Sequence, residues 1–262
     1  MEGKACEMEE GKVHVGDVDI NFLRVGTGDH PVLLMAGVLG TTRISFRLQI
    51  EKLNREKLTI VVWDPPGYGQ SRPPDRTFPD NFHQRDAAWA HSLMKSLGYS
   101  KFSLLGWCDG GTVALLLAAT YPDSIRKMIV LGARSYVRSK EIQVFESLRD
   151  INTWSERLIT DLLQVYNMDY IQKIVSEWIE YMLRVYIKQD GDLCKQTLPK
   201  IKCQTFIIHG EKDALAVLEQ SKYLKQNIVD SKLYIFENGK HNPNQKYPEK
   251  FNKLITDFLL GE

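Results

Sequence analysis

Short β-rich runs alternate with longer helical patterns along most of this chain, and that alternation restricts its fold more than any other feature. Candidate strands read at Lys12–Val15, Val18–Val25, Val32–Met35, Leu58–Trp63, Phe102–Leu105, Met128–Leu131, Thr205–Ile208 and Lys232–Phe236. Gly16-Asp17, between the first two, reads as a hairpin turn. The fourth run, Leu-Thr-Ile-Val-Val-Trp, is apolar on both faces, as a strand inside a parallel sheet must be. Helical patterns fall at Asn81–Leu97, Thr112–Tyr121, Leu218–Asn227 and Glu249–Leu259. Strands interleaved with helices predict an α/β fold: an eight-stranded, mostly parallel sheet with helices on both faces.

One stretch departs from the alternation. Residues 137–198 contain no proline, a single glycine (Gly191) and no strand pattern. Thr153-x-x-Glu156 reads as a capping box opening a helix, and Asp169–Ile187 is a long amphipathic pattern. The expected organisation is a core of residues 1–136 and 199–262, interrupted by a helical cap, or lid, over 137–198. Phe145, Trp154, Tyr166, Tyr170, Trp178, Tyr181 and Tyr186 enrich this segment in aromatics. Most are expected to pack helices together, with a few lining a pocket.

Composition then removes whole classes of function. Lys+Arg 34 against Asp+Glu 33 leaves a formal charge of +1, so no electrostatic footprint for nucleic acid or an acidic membrane is present. No apolar run of about 18 residues occurs, which argues against a membrane span. The four cysteines, Cys6, Cys108, Cys194 and Cys203, form no C-x-x-C pair, and no histidine cluster has zinc spacing. A disulfide scaffold and a structural metal are therefore not expected, and neither is a cofactor. Met1–Lys12 carries four glutamates and no apolar block, unlike a secretory signal or a mitochondrial presequence. A cytoplasmic, reducing setting and a small-molecule partner are the expectation.

The chemistry concentrates at Gly106-Trp107-Cys108-Asp109-Gly110-Gly111, a G-x-C-x-G between a strand and a helix. A strand-to-helix turn this sharp accepts only small residues two before and two after its apex, hence Gly106 and Gly110. The apex side chain then stands above the sheet at a helix N-terminus, where a thiol ionises more readily. A buried cysteine in an ordinary glycine turn would look the same locally, so the companions matter. After the seventh strand comes His209-Gly210-Glu211-Lys212-Asp213, and after the eighth comes Asn238-Gly239-Lys240-His241-Asn242. Nucleophile, acid and histidine in that chain order match the α/β-hydrolase arrangement, with Cys108, Asp213 and His241 in the three roles. Glu211 is the alternative acid, and His209 reads as structural. Backbone N–H groups of Asp109 and Val38, the latter in Ala36-Gly37-Val38-Leu39-Gly40, are the expected oxyanion donors. Asp64, in Trp63-Asp64-Pro65-Pro66-Gly67-Tyr68-Gly69, is expected to organise a turn rather than to react.

The elbow with its tryptophan and double glycine, the WDPPGYGQSRPPDR stretch, the HGEKD loop and GKHN together resemble the valacyclovir hydrolase (biphenyl-hydrolase-like) family. The resemblance runs from about Lys12 to the C-terminus. It implies an α/β-hydrolase with a helical cap that cleaves α-amino-acid esters, with the acid beside the nucleophile, here Asp109, binding the substrate's ammonium group. Four departures stand out: Cys108 where the family has serine, Ala36 where proline or histidine precedes Gly37, Pro66 where arginine is usual, and Ala214 where proline is usual. The targeting extension of human-type relatives is expected to be absent.

The leading expectation is thus a hydrolase of small carboxylic esters, aminoacyl esters first, with thioesters or lactones also within reach. Catalysis would run through a Cys-His-Asp triad and a thioacyl intermediate. Three alternatives stay open: a ligand-binding protein on the same scaffold, an acyltransferase, and a Ser→Cys variant of a serine esterase with slowed turnover.

Overall fold

The computed structural model describes residues 8–42 and 44–261; Cys6 lies outside them. Eight strands form one sheet: β1 (Met8–Val15), β2 (Val18–Val25), β3 (His30–Met35), β4 (Leu58–Trp63), β5 (Phe102–Trp107), β6 (Ile125–Leu131), β7 (Gln204–Gly210) and β8 (Ser231–Phe236). Their order is β1-β2-β4-β3-β5-β6-β7-β8. The β1–β2 and β2–β4 pairs are antiparallel and every later pair is parallel. The helices are α1 (Arg47–Lys52), α2 (Phe82–Ser96), α3 (Asp109–Thr120), α4 (Ser139–Ser147), α5 (Glu156–Leu163), α6 (Met168–Lys188), α7 (Leu218–Asn227), α8 (Pro243–Lys246) and α9 (Pro248–Leu260).

The period-two alternation of the strands decides which helix packs where. Leu33, Met35, Val61, Leu104, Met128, Val130 and Ile207 face one side, together with the apolar stripes of α2 and α3. Val32, Leu34, Ile60, Val62, Leu105, Ile129, Leu131, Phe206 and Ile208 face the other, against Ile50 of α1 and Phe251, Ile255 and Phe258 of α9. Because both faces are covered, β4 is buried at every position, which explains its unbroken apolar run. Short helices α1 and α8 lie outside the sequence expectation, since neither is long enough to display a period.

A third apolar cluster joins α4, α5 and α6 to Leu39, Tyr68, Phe78 and Phe82 in and near the loops at the C-terminal ends of β3 and β4. The polar tips of the aromatics tie the same surfaces together. The Tyr166 hydroxyl accepts from Gly69 N at 3.0 Å, and Tyr170 accepts from Arg76 N at 3.0 Å while donating to Gly67 O at 2.6 Å. Where the chain enters and leaves this helical stretch, Val137 N donates to Gly191 O (2.8 Å), and Leu193 N and Cys194 N donate to Ser135 O (3.1 and 3.0 Å). Gly191 has φ +67°, and a Cβ there would stand 2.1 Å from Val137 O, so the segment's one glycine is required by the crossing.

The expected capping box at Thr153 is not formed. Thr153 Oγ1 donates instead to Asp150 O at 2.7 Å within a 3-10 turn, and α5 is capped by Ser155, whose hydroxyl accepts from Leu158 N at 3.4 Å. Both residues suit a cap, and the 3-10 turn uses up Thr153 before the helix begins.

Candidate active site

The order of strands reverses between β3 and β5: the chain moves outward from β3 to β4, then returns to the other side of β3. The helices that follow β3 and β5, α1 and α3, pack on opposite faces of the sheet, which makes this the switch point where α/β sheets place their sites. Cys108 occupies this point. It lies between β5 and α3 with φ 58° and ψ −125°, a conformation that non-glycine residues rarely adopt and that the surrounding structure must enforce. The enforcement is steric. A Cβ at Gly106 would approach Gly110 O to 2.4 Å, and one at Gly110 would approach Met35 O to 2.1 Å. Asp109 opens α3, so its own N–H belongs to the first turn, which lacks intrahelical partners.

The loop after β3 presses against the same sulfur-bearing side chain. A Cβ at Gly37 would stand 2.7 Å from Cys108 Cβ and 3.2 Å from Sγ. Gly40 N closes on Gly37 O at 3.0 Å and Leu39 has φ 59°, so Val38 is held in a tight turn beside Cys108.

His241 arrives from the loop after β8. Its Nδ1 is 2.7 Å from Asp213 Oδ2, and the other carboxylate oxygen of Asp213 accepts from Leu215 N (2.9 Å) and Ala216 N (3.0 Å). Asp213 thus fixes the imidazole with Nδ1 protonated, and leaves the buried Nε2 as the atom available for proton exchange. Burial alone would lower the basicity of His241, but the charges of Cys108 and Asp213 outweigh it and push the imidazole up to about 10. For Asp213, burial opposes ionisation while His241 favours it, and the balance holds the carboxyl below the usual range. Glu211 is elsewhere, accepting from Asn238 N at 3.0 Å. Trp107, next to Cys108, donates from Nε1 to His241 O at 2.9 Å and so ties the histidine loop to the elbow.

The residues read as structural take structural positions. His209 is buried, with Nε2 2.8 Å from Ala216 O. Asp64 accepts from Thr42 N (2.7 Å), Gln70 N (2.9 Å) and Asn21 Nδ2 (3.0 Å), which ties the loops after β3 and β4 to strand β2 through one buried carboxylate.

Asp109 has neighbours that its local sequence did not announce. Only 6% exposed, its carboxylate accepts from Trp178 Nε1 of α6 at 2.5 Å and from Arg134 Nη1 at 3.5 Å, with His83 Nε2 of α2 at 3.9 Å. Burial would raise its pKa, but His83, Arg134 and Trp178 together hold the carboxyl below its ordinary value. Arg134 follows β6 and lies 25 residues from Asp109, Trp178 lies 69 away, and no local motif marks either. Asp109 also lines a cavity of about 10 Å³ with Val38, Tyr68, Arg76 and Asp86, beside the buried Arg76–Asp86 ion pair. A space of that size admits about one water. Among the described residues, no group of three or more His, Cys, Asp or Glu side chains could hold a metal ion.

Comparison with known proteins places the chain among hydrolases of this fold. The family model described as the alpha/beta hydrolase fold matches residues 30–150. The proteins named serine hydrolase BPHL of Mus musculus and of Homo sapiens are each 42% identical over 248 residues, covering 95% of this chain and 85% of theirs. A 2-hydroxy-6-oxononadienedioate/2-hydroxy-6-oxononatrienedioate hydrolase of a Pseudomonas species is 21% identical, covering 98% of this chain and 96% of its own. Among solved structures, the meta-cleavage product hydrolase CumD of Pseudomonas fluorescens IP01 superposes with a TM-score of 0.77 at 19% identity, covering 96% of this chain and 97% of that one. An esterase of Thermogutta terrifontis superposes with a TM-score of 0.73 at 22% identity, covering 97% and 98%. The two structural likenesses speak for the fold alone.

Proposed function

Because this chain belongs to the alpha/beta hydrolase family and is a hydrolase, we propose that it cleaves small carboxylic esters, α-amino-acid esters foremost, with Cys108 as nucleophile. The observation that carries this reading is the convergence of the strained Cys108, the Gly37–Val38 turn and the Asp213-oriented His241 at one switch point of the sheet.

Cys108 gives its thiol proton to His241 Nε2, Sγ attacks the ester carbonyl, and the carbonyl π electrons move onto oxygen. The N–H groups of Val38 and Asp109 stabilise that oxyanion. Its collapse expels the alcohol, which takes a proton from His241 Nε2, and leaves an acyl thioester on Cys108. His241 then removes a proton from water, which attacks the thioester and releases the acid and the thiolate. Asp213 holds the imidazole in register and balances its charge in both halves of the cycle. The carboxylate of Asp109, next to the nucleophile, attracts an α-ammonium group on the acyl side, a charge-assisted contact stronger than a neutral one. In this reading residues 137–198 form a cap that opens to admit substrate. The free thiols of Cys108, Cys194 and Cys203 suit a reducing compartment, since an oxidised Cys108 has no nucleophile to offer. Among the described residues, no helix is long and apolar enough to cross a membrane.

The test is intact-mass analysis during turnover of an alanyl and an acetyl ester. A transient adduct of the acyl mass on Cys108, absent from Cys108→Ala together with the esterase activity, is expected. An alanine variant that keeps most of the activity overturns the assignment.

A further inference from the structure

Arg134 has no part in the mechanism above, yet its guanidinium reaches the reacting sulfur. Its side chain is fully buried at the end of β6, and Nη2 lies 3.9 Å from Cys108 Sγ. Several groups hold it there. Nη1 is 3.5 Å from Asp109 Oδ1, Nη2 donates to Leu215 O at 3.3 Å, and the guanidinium stacks near the rings of Phe145 (4.9 Å) and Trp178 (5.8 Å). Among the described residues, its buried Nε has no hydrogen-bond partner. So deeply buried a cation is costly unless anions surround it. Asp109 supplies one negative charge, and the Cys108 sulfur stands within 3.9 Å of Nη2.

We propose that Arg134 is a second cation of the active site, which with His241 holds Cys108 as a resting thiolate. The inference rests on Cys108 being the nucleophile and deepens that reading. A serine hydroxyl stays neutral until the histidine takes its proton, so it gains little from a fixed cation at rest. A thiol ionises before attack and gains fully. Arg134 and a cysteine at position 108 therefore form a matched pair. The charged and titratable groups about this pair are His241 after β8 with Asp213 behind it and Asp109 on α3, while His83 on α2 acts on Asp109 and Glu141 on α4 acts on Arg134. Burial works against the charge of Arg134, but Cys108, Asp109, Glu141 and Asp213 reverse that effect and keep it protonated.

The test measures the rate of Cys108 alkylation by iodoacetamide against pH, read by intact mass, in the wild type, Arg134→Met, Arg134→Lys and His241→Ala. It needs no substrate, so its outcome is independent of the esterase assay. In the wild type the rate is expected to be nearly flat from pH 6.5 upward. In Arg134→Met the inflection is expected to move up by about one unit, which lowers the rate about tenfold at pH values below both inflections. Arg134→Lys should recover part of that loss, because it restores charge but not the planar fork. An Arg134→Met profile that overlays the wild type in a folded protein overturns the proposal. If Arg134→Met does not fold, His241→Ala decides. There the sulfur is expected to titrate still below the ordinary thiol value of about 8.5, and a return to that value shows that Arg134 contributes nothing.

Discussion

Trp178, midway along α6, donates its indole N–H to the carboxylate of Asp109 across 2.5 Å, joining the overlying helices to the residue beside Cys108. Both partners are buried, so the contact costs its full desolvation if broken. Trp178→Phe keeps the ring that packs on Phe145 and removes only the donor. We expect it to lower stability by about 1–3 kcal/mol, read as a reduced urea midpoint with an unchanged slope. An unchanged midpoint means that the contact contributes nothing.

The imidazole of His241, raised to about 10 from an ordinary 6.5, links stability to pH with a definite sign. The folded state holds this proton more tightly than the unfolded chain. The stabilisation is therefore complete below about pH 6.5 and is lost as pH rises toward 10. Asp213 and Asp109, both held below their ordinary values, act in the opposite sense: their contribution is present above the unfolded value and disappears as pH falls through the folded one. Urea unfolding of the wild type and of His241→Ala, repeated from pH 6 to 10, should give a difference that shrinks at the alkaline end. In Cys108→Ala the His241 ring protons, followed by NMR, should titrate at lower pH than in the wild type, because the sulfur's charge is gone.

Asp109→Asn separates amine recognition from the chemistry that all esters share. The side chain keeps its size and can still accept from Trp178, but it no longer attracts a cation. We expect kcat/KM for an alanyl ester to fall about 10–100-fold more than for the corresponding acetate ester, the range that loss of one charge-assisted contact gives. Equal losses on the two esters sink the role of Asp109 in selecting an ammonium group.

Gly37→Ala tests the closeness of the two loops. The added Cβ meets Cys108 Cβ at 2.7 Å, so either the β3 loop or the nucleophile must shift. A displacement of about 1 Å at a reacting atom is enough for a loss on the order of 100-fold in kcat. The cost in stability is expected to be only about 1–3 kcal/mol, as for overpacking elsewhere. A variant with normal kcat and normal stability shows that the turn has room.

Some of this site could be read along the chain because its determinants are local. Cys108 was recognisable from Gly106, Gly110 and the strand–helix boundary, which together dictate a sharp turn whatever surrounds it. Asp64 follows β4 directly and His209 sits near the end of β7, and each bonds into the loop beside it, which separates them from the reactive groups. The boundaries of β1, β6 and β7 were placed short, since Met8–Gly11, Ile125–Lys127 and His209–Gly210 include polar or glycine positions that only pairing with a neighbour makes strand. Arg134, Trp178 and His83 were not legible. Each lies in an ordinary stretch of its own element and becomes part of the site only by facing Asp109.

By itself, then, the sequence determined the alternation, the faces of the strands and the elbow, because periods of 2 and 3.6 and the space needed at a tight turn act over a few neighbouring residues. Only the tertiary structure decided the electrostatics. Asp109 looked like a free anion waiting for a cation, and the fold supplies it with Arg134, His83 and Trp178 from three separate elements. Interaction energy between charges depends on distance and on burial, and neither is a property of position along a chain.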